Sequence, residues 1–231
     1  MIRSFKRYTL SEYLAYLRTF VGKVKFSQVH MHHTWVPSHS HWYKTKNKMD
    51  VINGMWRYHT DTRGFSDIAQ HATIDPEGYI WEGRSLLMPP ASATSYNDSD
   101  NDRIHPFMFE MIGDFDKGRD KFEGAQLATV KALVNEVMML WGSELRFHRD
   151  MTNQKSCPGT GIEKEWFLCQ LNAEELKEEE PMLTVTDANK IIALLGAVWQ
   201  VTDTPESTNA GQNEAGRLAN ELRKASGQST I

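Results

Sequence analysis

The feature that most constrains the fold is a long helical repeat of apolar residues between Gly124 and Trp141. Seven apolar side chains recur there at intervals of three and four residues: Leu127, Val130, Leu133, Val134, Val137, Met138 and Trp141. A repeat of this kind buries one face of a helix against another layer. The segment from Phe107 to Gly113 is a candidate for a buried strand in that layer. Helices that alternate with strands predict an α/β fold, in which a central mixed β-sheet is flanked by helices.

Local patterns predict further elements in the first half of the chain. Thr9 and Glu12 have the spacing of a capping box, and an amphipathic repeat follows them as far as Phe20. The segment from Gln28 to Thr34 is predicted to be extended, and Lys48 to His59 to be helical.

A hairpin is predicted around residues 75–78, which read Asp-Pro-Glu-Gly. Proline at the second position and glycine at the fourth suit a type I turn. The flanking strands are Ala72 to Asp75 and Tyr79 to Glu82, and Leu86 to Arg103 is predicted to be a loop because it is rich in Pro, Ser, Asn and Asp.

Charge changes sharply near Asn172. Residues 1–172 carry 21 basic and 20 acidic side chains, whereas residues 173–231 carry 5 and 10. We therefore predict a main domain over residues 1–172 and a small helical C-terminal module over residues 173–231. Within this module, Asp187 to Trp199 and Asn213 to Lys224 read as two amphipathic helices.

Composition excludes several classes of protein. The net charge of −4 gives no basic field that would hold nucleic acid or anionic lipid, and no apolar run is long enough for membrane insertion. Two cysteines exclude a disulfide scaffold, and Cys169 is expected to be buried and inert. The first residues lack the apolar core of a secretion signal, so the expected location is the cytoplasm.

Nine histidines require an explanation, and five of them fall between His30 and His41. His32 is predicted at the end of a strand, while His148 and Cys157 are expected together on a later loop. Imidazole and thiolate donors suit Zn²⁺, and a catalytic zinc uses three protein ligands. The alternatives are a histidine-rich surface and a cysteine that is merely a small buried side chain.

Four blocks in a fixed order carry a specific resemblance. They are His-His-Thr at 32–34, Arg-Gly-Phe-Ser-Asp-Ile-Ala-Gln-His at 63–71, the segment from Ile74 to Arg84, and Phe-His-Arg-Asp at 147–150 with Lys-Ser-Cys-Pro-Gly at 155–159. This series resembles the type 2 N-acetylmuramoyl-L-alanine amidases, zinc enzymes that include phage lysozymes of the amidase class and the peptidoglycan recognition proteins. The resemblance covers roughly Val29 to Gly161.

The resemblance implies a set of functional residues. His32, His148 and Cys157 match the ligands of one catalytic Zn²⁺, and His30 is the fallback ligand on the same strand face. Lys155 matches a lysine that stabilises the oxyanion.

The same resemblance places other residues beside the substrate. His71 and Arg84 match positions near the site, as substrate binders or as structural hydrogen-bond donors. Trp35 is a candidate surface for stacking a sugar ring, as are Trp56 and Trp81. Each could equally be core, and the helical face on which Trp56 lies favours the core for that residue.

One position departs from the family pattern. Gln70 stands where the family commonly has tyrosine, and a glutamine can bind a substrate amide or water but cannot titrate. Glu110, in Phe-Glu-Met, matches a strand glutamate of some members and is the candidate general base. The alternative is that Glu110 pairs with a buried arginine or lysine.

The resemblance implies hydrolysis of the amide between N-acetylmuramic acid and L-alanine in bacterial peptidoglycan. A phage endolysin would accumulate in the host cytoplasm and act on the cell wall at lysis. A non-catalytic peptidoglycan-binding protein of the same fold is the alternative, and Gln70 favours it. The C-terminal module is expected to bind the wall, to self-associate or to pack on the catalytic domain.

Overall fold

The computed structural model describes residues 3–100, 102–152, 156–178, 184–201 and 209–226. The chain divides into two compact units, Met1–Asn172 and Ala173–Ile231. No helix in the described ranges is long and apolar enough to cross a membrane.

A six-stranded mixed sheet forms the centre of the first unit. Its strands are β1 (Arg7–Tyr8), β2 (Lys25–His33), β3 (Ala72–Ile74), β4 (Ile80–Glu82), β5 (Ile104–Met111) and β6 (Glu144–Phe147). They lie in the order β1-β4-β3-β5-β2-β6. Strands β3, β5, β2 and β6 are parallel to their neighbours in this group. Strand β4 pairs antiparallel with β3, and β1 pairs antiparallel with β4, so these two form an antiparallel edge. The predicted α/β fold with a mixed sheet is confirmed.

Helices account for most of the remaining regular structure in the described ranges. They are α1 (Leu10–Arg18), α2 (His39–Lys44), α3 (Lys48–Arg57), α4 (Gly124–Trp141), α5 (His148–Met151), α6 (Lys164–Glu178), α7 (Val185–Val201) and α8 (Asn209–Ala225). A π-helical turn, Tyr58–Thr62, continues α3. In the second unit, α7 and α8 contact each other.

The strongest local signals are confirmed by the structure. The Thr9 side chain accepts the N–H of Glu12, and the Glu12 carboxylate accepts the N–H of Thr9 at 2.7 Å, so α1 begins with a capping box. Helix α4 ends at Gly142, whose φ of 67° suits a glycine and whose N–H donates to Met138 O. The predicted hairpin turn is also present, because the Asp75 carboxylate accepts the N–H groups of Glu77 and Tyr79.

Two apolar clusters fix the helices against the sheet. The larger lies between the sheet, α1 and α4, and its fully buried members include Leu17, Phe26, Phe107, Phe109 and Leu133. The smaller joins α2 and α3 to β4 and to the end of β5, through residues such as Trp42, Ile52, Trp81 and Ile112. The smaller cluster positions α3 near the carboxyl end of β5.

Two expectations differ from the structure. His148 is the first residue of α5, directly after β6, and does not lie on a loop. Cys169 is exposed, because α6 turns Phe167 and Leu171 inward and leaves the residue midway between them on the opposite face. For Trp81 the structure favours the core alternative, since the residue is buried and its indole N–H donates to Asp75.

Candidate metal centre

The three predicted ligands converge at the carboxyl ends of neighbouring parallel strands. His32 lies near the end of β2, and His148 follows β6, which pairs with β2 through the register Met31 to Phe147. Cys157 comes from the loop after α5. One ligand atom from each of the three residues lies within 4.8 Å of the other two. Two imidazoles and a thiolate fit Zn²⁺ and leave one of its four positions open.

Neighbouring groups hold His32 in the form that a metal requires. Its Nε2 hydrogen-bonds with Ser92 Oγ at 2.6 Å, and its ring centroid lies 4.3 Å from that of His148. Burial, and secondarily His148, lowers the pKa of His32 well below its usual value. The ring is therefore neutral at physiological pH, and a neutral imidazole is the ligand form.

Cys157 is fixed by two segments of the backbone. Its Sγ accepts the N–H of His33 at 3.3 Å, and an N–H donor beside a sulfur stabilises the thiolate that binds metal. The N–H of Arg149 donates to Cys157 O at 2.9 Å, and the Arg149 guanidinium donates to the carbonyls of Gly159 and Ile162. Arg149 thus joins the loop of Cys157 to the helix of His148.

His30 is not available as the fallback ligand in this structure. It is fully buried, its Nδ1 hydrogen-bonds with Ser92 Oγ and its Nε2 with Gln28 Oε1. Both ring nitrogens are therefore occupied. Ser92 links the two histidines of β2.

A cavity of about 1000 Å³, here called the main cavity, opens over the three ligands. Its other lining residues include Trp35, Arg63, Ser92, Glu110 and Asp116. Trp35 lines the main cavity and is 62% exposed. This exposure favours the ring-stacking alternative over a position in the core.

Glu110 lies in the same layer as His32. The two residues are paired in register between β5 and β2, and Glu110, which is half-buried, lines the main cavity. Burial by the surrounding protein raises the pKa of Glu110 to about 8. No ion pair among the described residues includes Glu110, so the alternative of a buried basic partner finds no support.

Gln70 does not line the main cavity. Its side chain is fully buried, and Nε2 donates to Thr73 Oγ1 at 2.7 Å within the sheet. This corrects the expectation that Gln70 binds substrate, because a side chain enclosed by the core cannot reach a ligand in the cavity.

The structure favours the structural alternative for His71 and Arg84. His71 is buried; its Nδ1 accepts the N–H of Met108 and its Nε2 hydrogen-bonds with Met88 O. The Arg84 guanidinium donates to the carbonyls of Ile68, Pro89 and Asp67. Both side chains bind carbonyls of the loop after β4, and neither lines the main cavity.

Lys155 lies outside the described residues, and its role at the oxyanion stays a prediction. Arg149 and Ser92 contact the candidate ligands or their loop, but neither of them was assigned a functional role from sequence. Arg149 stands within a quoted block, whereas Ser92 lies in the irregular segment after Leu86, where the sequence offers no signal for a contact with β2.

Comparison with known protein families gives one match. The profile of a family described as N-acetylmuramoyl-L-alanine amidase matches residues 22–160, more than half of the chain. No curated protein matches the chain significantly in sequence.

Two solved structures share the fold, and a third is also similar to this chain. A variant of Drosophila PGRP-LB in complex with tracheal cytotoxin is 22% identical, covers 71% of this chain and 85% of its own, and has a TM-score of 0.51. Bumblebee PGRP-SA is 20% identical over 62% of this chain and 80% of its own, with a TM-score of 0.50. The N-acetylmuramoyl-L-alanine amidase LysC of Clostridium intestinale URNW is 25% identical over 64% of this chain and 87% of its own, with a TM-score of 0.48.

Proposed function

Because the chain belongs to the N-acetylmuramoyl-L-alanine amidase family, we propose that it hydrolyses the amide bond between N-acetylmuramic acid and L-alanine in peptidoglycan. The observation that carries the proposal is the convergence of His32, His148 and Cys157 in a cavity that Glu110 also lines. A metal, a carboxylate and an accessible cavity together meet the needs of amide hydrolysis.

The three ligands would hold one Zn²⁺. When bound, this ion supplies a Lewis acid for the amide carbonyl and lowers the pKa of a water molecule. Ser92 fixes the ring of His32, and Arg149 fixes the loop of Cys157, so this chain's own contacts set the ligand geometry.

Glu110 is the group that moves the proton. We assign its carboxylate, whose raised pKa a bound cation nearby would lower again, the role of taking a proton from the attacking water and returning it to the amine of the departing alanine. Its position in register with His32 places the carboxylate on the face of the sheet that carries the ligand. The predicted contribution of Lys155 is a fixed positive charge near the oxyanion.

The experiment is to measure new N-terminal alanine released from purified cell walls by the full-length protein. We expect release from the zinc-loaded protein, loss after chelation and recovery when Zn²⁺ is restored. A Cys157→Ser variant serves as the matched control, with weakened zinc binding and little release.

The alternative is a protein of this fold that binds peptidoglycan without cleaving it. It is favoured by Gln70, which replaces the family's common tyrosine and is buried away from the cavity. Binding of cell walls by the zinc-loaded protein without any release of alanine would establish this alternative and refute the amidase proposal.

An endolysin role, with accumulation in a host cytoplasm before lysis, stays a prediction from the sequence resemblance. It requires that the zinc-loaded protein lower the turbidity of a cell-wall suspension. If alanine is released from soluble fragments but intact walls are not lysed, the amidase proposal stands and the endolysin role does not.

A further inference from the structure

Three polar side chains follow one another along one face of β2. Side chains of a strand alternate between its two faces, so Gln28, His30 and His32 share a face. His30, the middle one, is fully buried. A buried imidazole costs free energy that an apolar side chain would not, unless hydrogen bonds satisfy it. Because both ring nitrogens of His30 have partners, the contacts of this side chain indicate what it does at this position.

A continuous chain of hydrogen bonds, here called the β2 relay, joins these side chains through Ser92. Gln28 Oε1 lies 2.8 Å from His30 Nε2, and His30 Nδ1 lies 3.0 Å from Ser92 Oγ. Ser92 Oγ lies in turn 2.6 Å from His32 Nε2. The candidate metal ligand His32 is therefore one end of the relay, and Gln28, which contacts neither His32 nor Ser92 directly in it, is the other.

The backbone around Ser92 fixes the hydroxyl at the centre of the relay. Asn97 Oδ1 accepts the N–H of Ser92 at 2.8 Å and the N–H of Ala93 at 3.0 Å. The N–H of Ala91 donates to Ala69 O at 3.0 Å. The Ser92 hydroxyl is thus held beside both rings, although its own segment is neither helix nor strand.

The direction of the relay follows from the protons that its members can give. His30 is buried between uncharged partners, which favours the neutral ring with a single N–H. Because the carbonyl oxygen of Gln28 only accepts, His30 Nε2 carries that proton and His30 Nδ1 accepts the hydroxyl proton of Ser92. Ser92 has no second proton to give. His32 Nε2 therefore donates to Ser92 Oγ.

We propose that Gln28 and His30 are positioning residues of the candidate metal centre, which act through Ser92 to hold the proton of His32 on Nε2 and leave Nδ1 for the metal. A neutral imidazole binds a metal through the nitrogen that lacks the proton, and the hydrogen bond of the other nitrogen decides which one that is. In a relay of the opposite direction, Ser92 donates to His32 Nε2, and the proton of His32 occupies Nδ1 and blocks the metal. The inference rests on the proposed zinc site and not on amide hydrolysis.

The first experiment reads the tautomers in the metal-free, full-length protein. Proton–nitrogen correlation NMR spectra of the imidazole rings at neutral pH distinguish a proton on Nε2 from a proton on Nδ1 for each neutral histidine. We expect the proton on Nε2 in both His30 and His32. A proton on Nδ1 of His32 in the wild-type protein overturns the proposal.

The second experiment removes the acceptor at position 30 and then restores it. In His30→Leu, Ser92 loses this acceptor and donates to His32 instead. In His30→Asn, the side-chain oxygen is bonded to Cγ, as Nδ1 is in histidine, and accepts the hydroxyl proton. We expect His30→Leu to lower zinc affinity about 10–100-fold, and His30→Asn to stay close to the wild type. Competition with a chromogenic chelator measures the affinities, and denaturant unfolding of the metal-free proteins establishes that both variants fold. Equal affinities in the two variants, or a wild-type protein that binds no zinc, contradict the proposal.

The third experiment acts at the far end of the relay. Gln28→Met removes the acceptor of His30 Nε2 and leaves Ser92 and His32 in place. Gln170→Met is the matched control, since Gln170 is half-buried like Gln28 but lies in α6 and does not line the main cavity. We expect Gln28→Met to let a proton appear on Nδ1 of His32 and to weaken zinc binding about tenfold, with neither change in the control. Tautomers and affinity equal to those of the control would exclude Gln28 and overturn the proposal.

These readouts separate the inference from the proposed hydrolysis, because the tautomers are measured without metal and the zinc affinity without substrate. If the wild-type protein binds zinc and holds the proton of His32 on Nε2 but releases no alanine, this inference stands and the amidase proposal fails. If alanine is released by a protein whose His32 has its proton on Nδ1 in the metal-free state, the amidase proposal stands and this inference fails.

Discussion

At the scale of single residues, the candidate metal centre depends on groups that are not themselves ligands. Ser92 Oγ contacts ring nitrogens of both His30 and His32, and the N–H of His33 contacts the sulfur of Cys157. Partners of this kind set the orientation of the ligands and the basicity of their donor atoms. Ser92 is the more testable of the two, because its contact is made by a side chain.

We predict that Ser92→Ala lowers zinc affinity by about 10–100-fold, because the ring of His32 loses the hydrogen bond that orients it. Competition with a chromogenic chelator measures the affinity. The control is Ser99→Ala, an exposed position of the same loop. Equal zinc affinity in the two variants would show that Ser92 does not orient the ligand.

We predict that Glu110→Gln lowers the rate of alanine release by about 10²–10⁴-fold, because the amide is isosteric with the carboxylate but cannot accept the proton. Zinc stoichiometry should stay at one, since Glu110 is not a ligand in our assignment. A variant that keeps most of its activity would remove Glu110 from the mechanism. A variant that loses zinc would instead give Glu110 a role in metal binding.

At the scale of elements, the site is built from residues that lie at, or directly after, the carboxyl ends of parallel strands. The end of β2 supplies His32, the end of β5 supplies Glu110, and α5 begins directly after β6 with His148. Carboxyl ends of parallel strands meet at one edge of a sheet, so residues that are far apart in sequence become neighbours. The loop of Cys157 has no strand of its own and is held by Arg149.

We predict that Arg149→Met lowers zinc affinity and reduces the free energy of unfolding by about 1–3 kcal/mol, because the carbonyls of Gly159 and Ile162 lose a donor. Arg119→Met is the control, since Arg119 is 70% exposed and its contact with Asp114 is long, at 3.9 Å. Denaturant unfolding and chelator competition give the two readouts. An unfolding free energy equal to that of the control would exclude a role for Arg149 in holding this loop.

At the scale of the whole molecule, the proposed catalytic site lies within one unit. Its described residues, and the main cavity, belong to the first unit. The second unit contains α7 and α8, and α7 carries exposed apolar residues that include Val185 and Leu194. Wall binding, self-association and docking on the first unit remain separate hypotheses for this module.

We predict that a chain ending at Glu178, which retains all of α6, cleaves soluble muropeptides as fast as the full-length protein, because the core and the main cavity are intact. If the module binds the wall, the truncated chain should bind intact walls more weakly in a pull-down. Undiminished wall binding would exclude targeting by residues 179–231. Sedimentation of both chains tests self-association.

Sequence alone determined the elements with strong local patterns and named the candidate ligand group. The capping box of α1, the repeat of α4 and the turn at Asp75 depend on nearby residues, and all three are present in the structure. The spaced blocks also named three residues whose donor atoms converge in the structure.

The tertiary structure decided which side chains face the main cavity. Gln70, His71 and Arg84 stand in blocks that resemble a binding site, yet the structure turns them into the core and towards backbone carbonyls. Conversely, Ser92 reaches β2 from an irregular segment in which no local pattern indicates such a contact. Periodicity shows which residues share a face of one element. Only the packing of several elements determines whether that face meets the core, another strand or an open cavity.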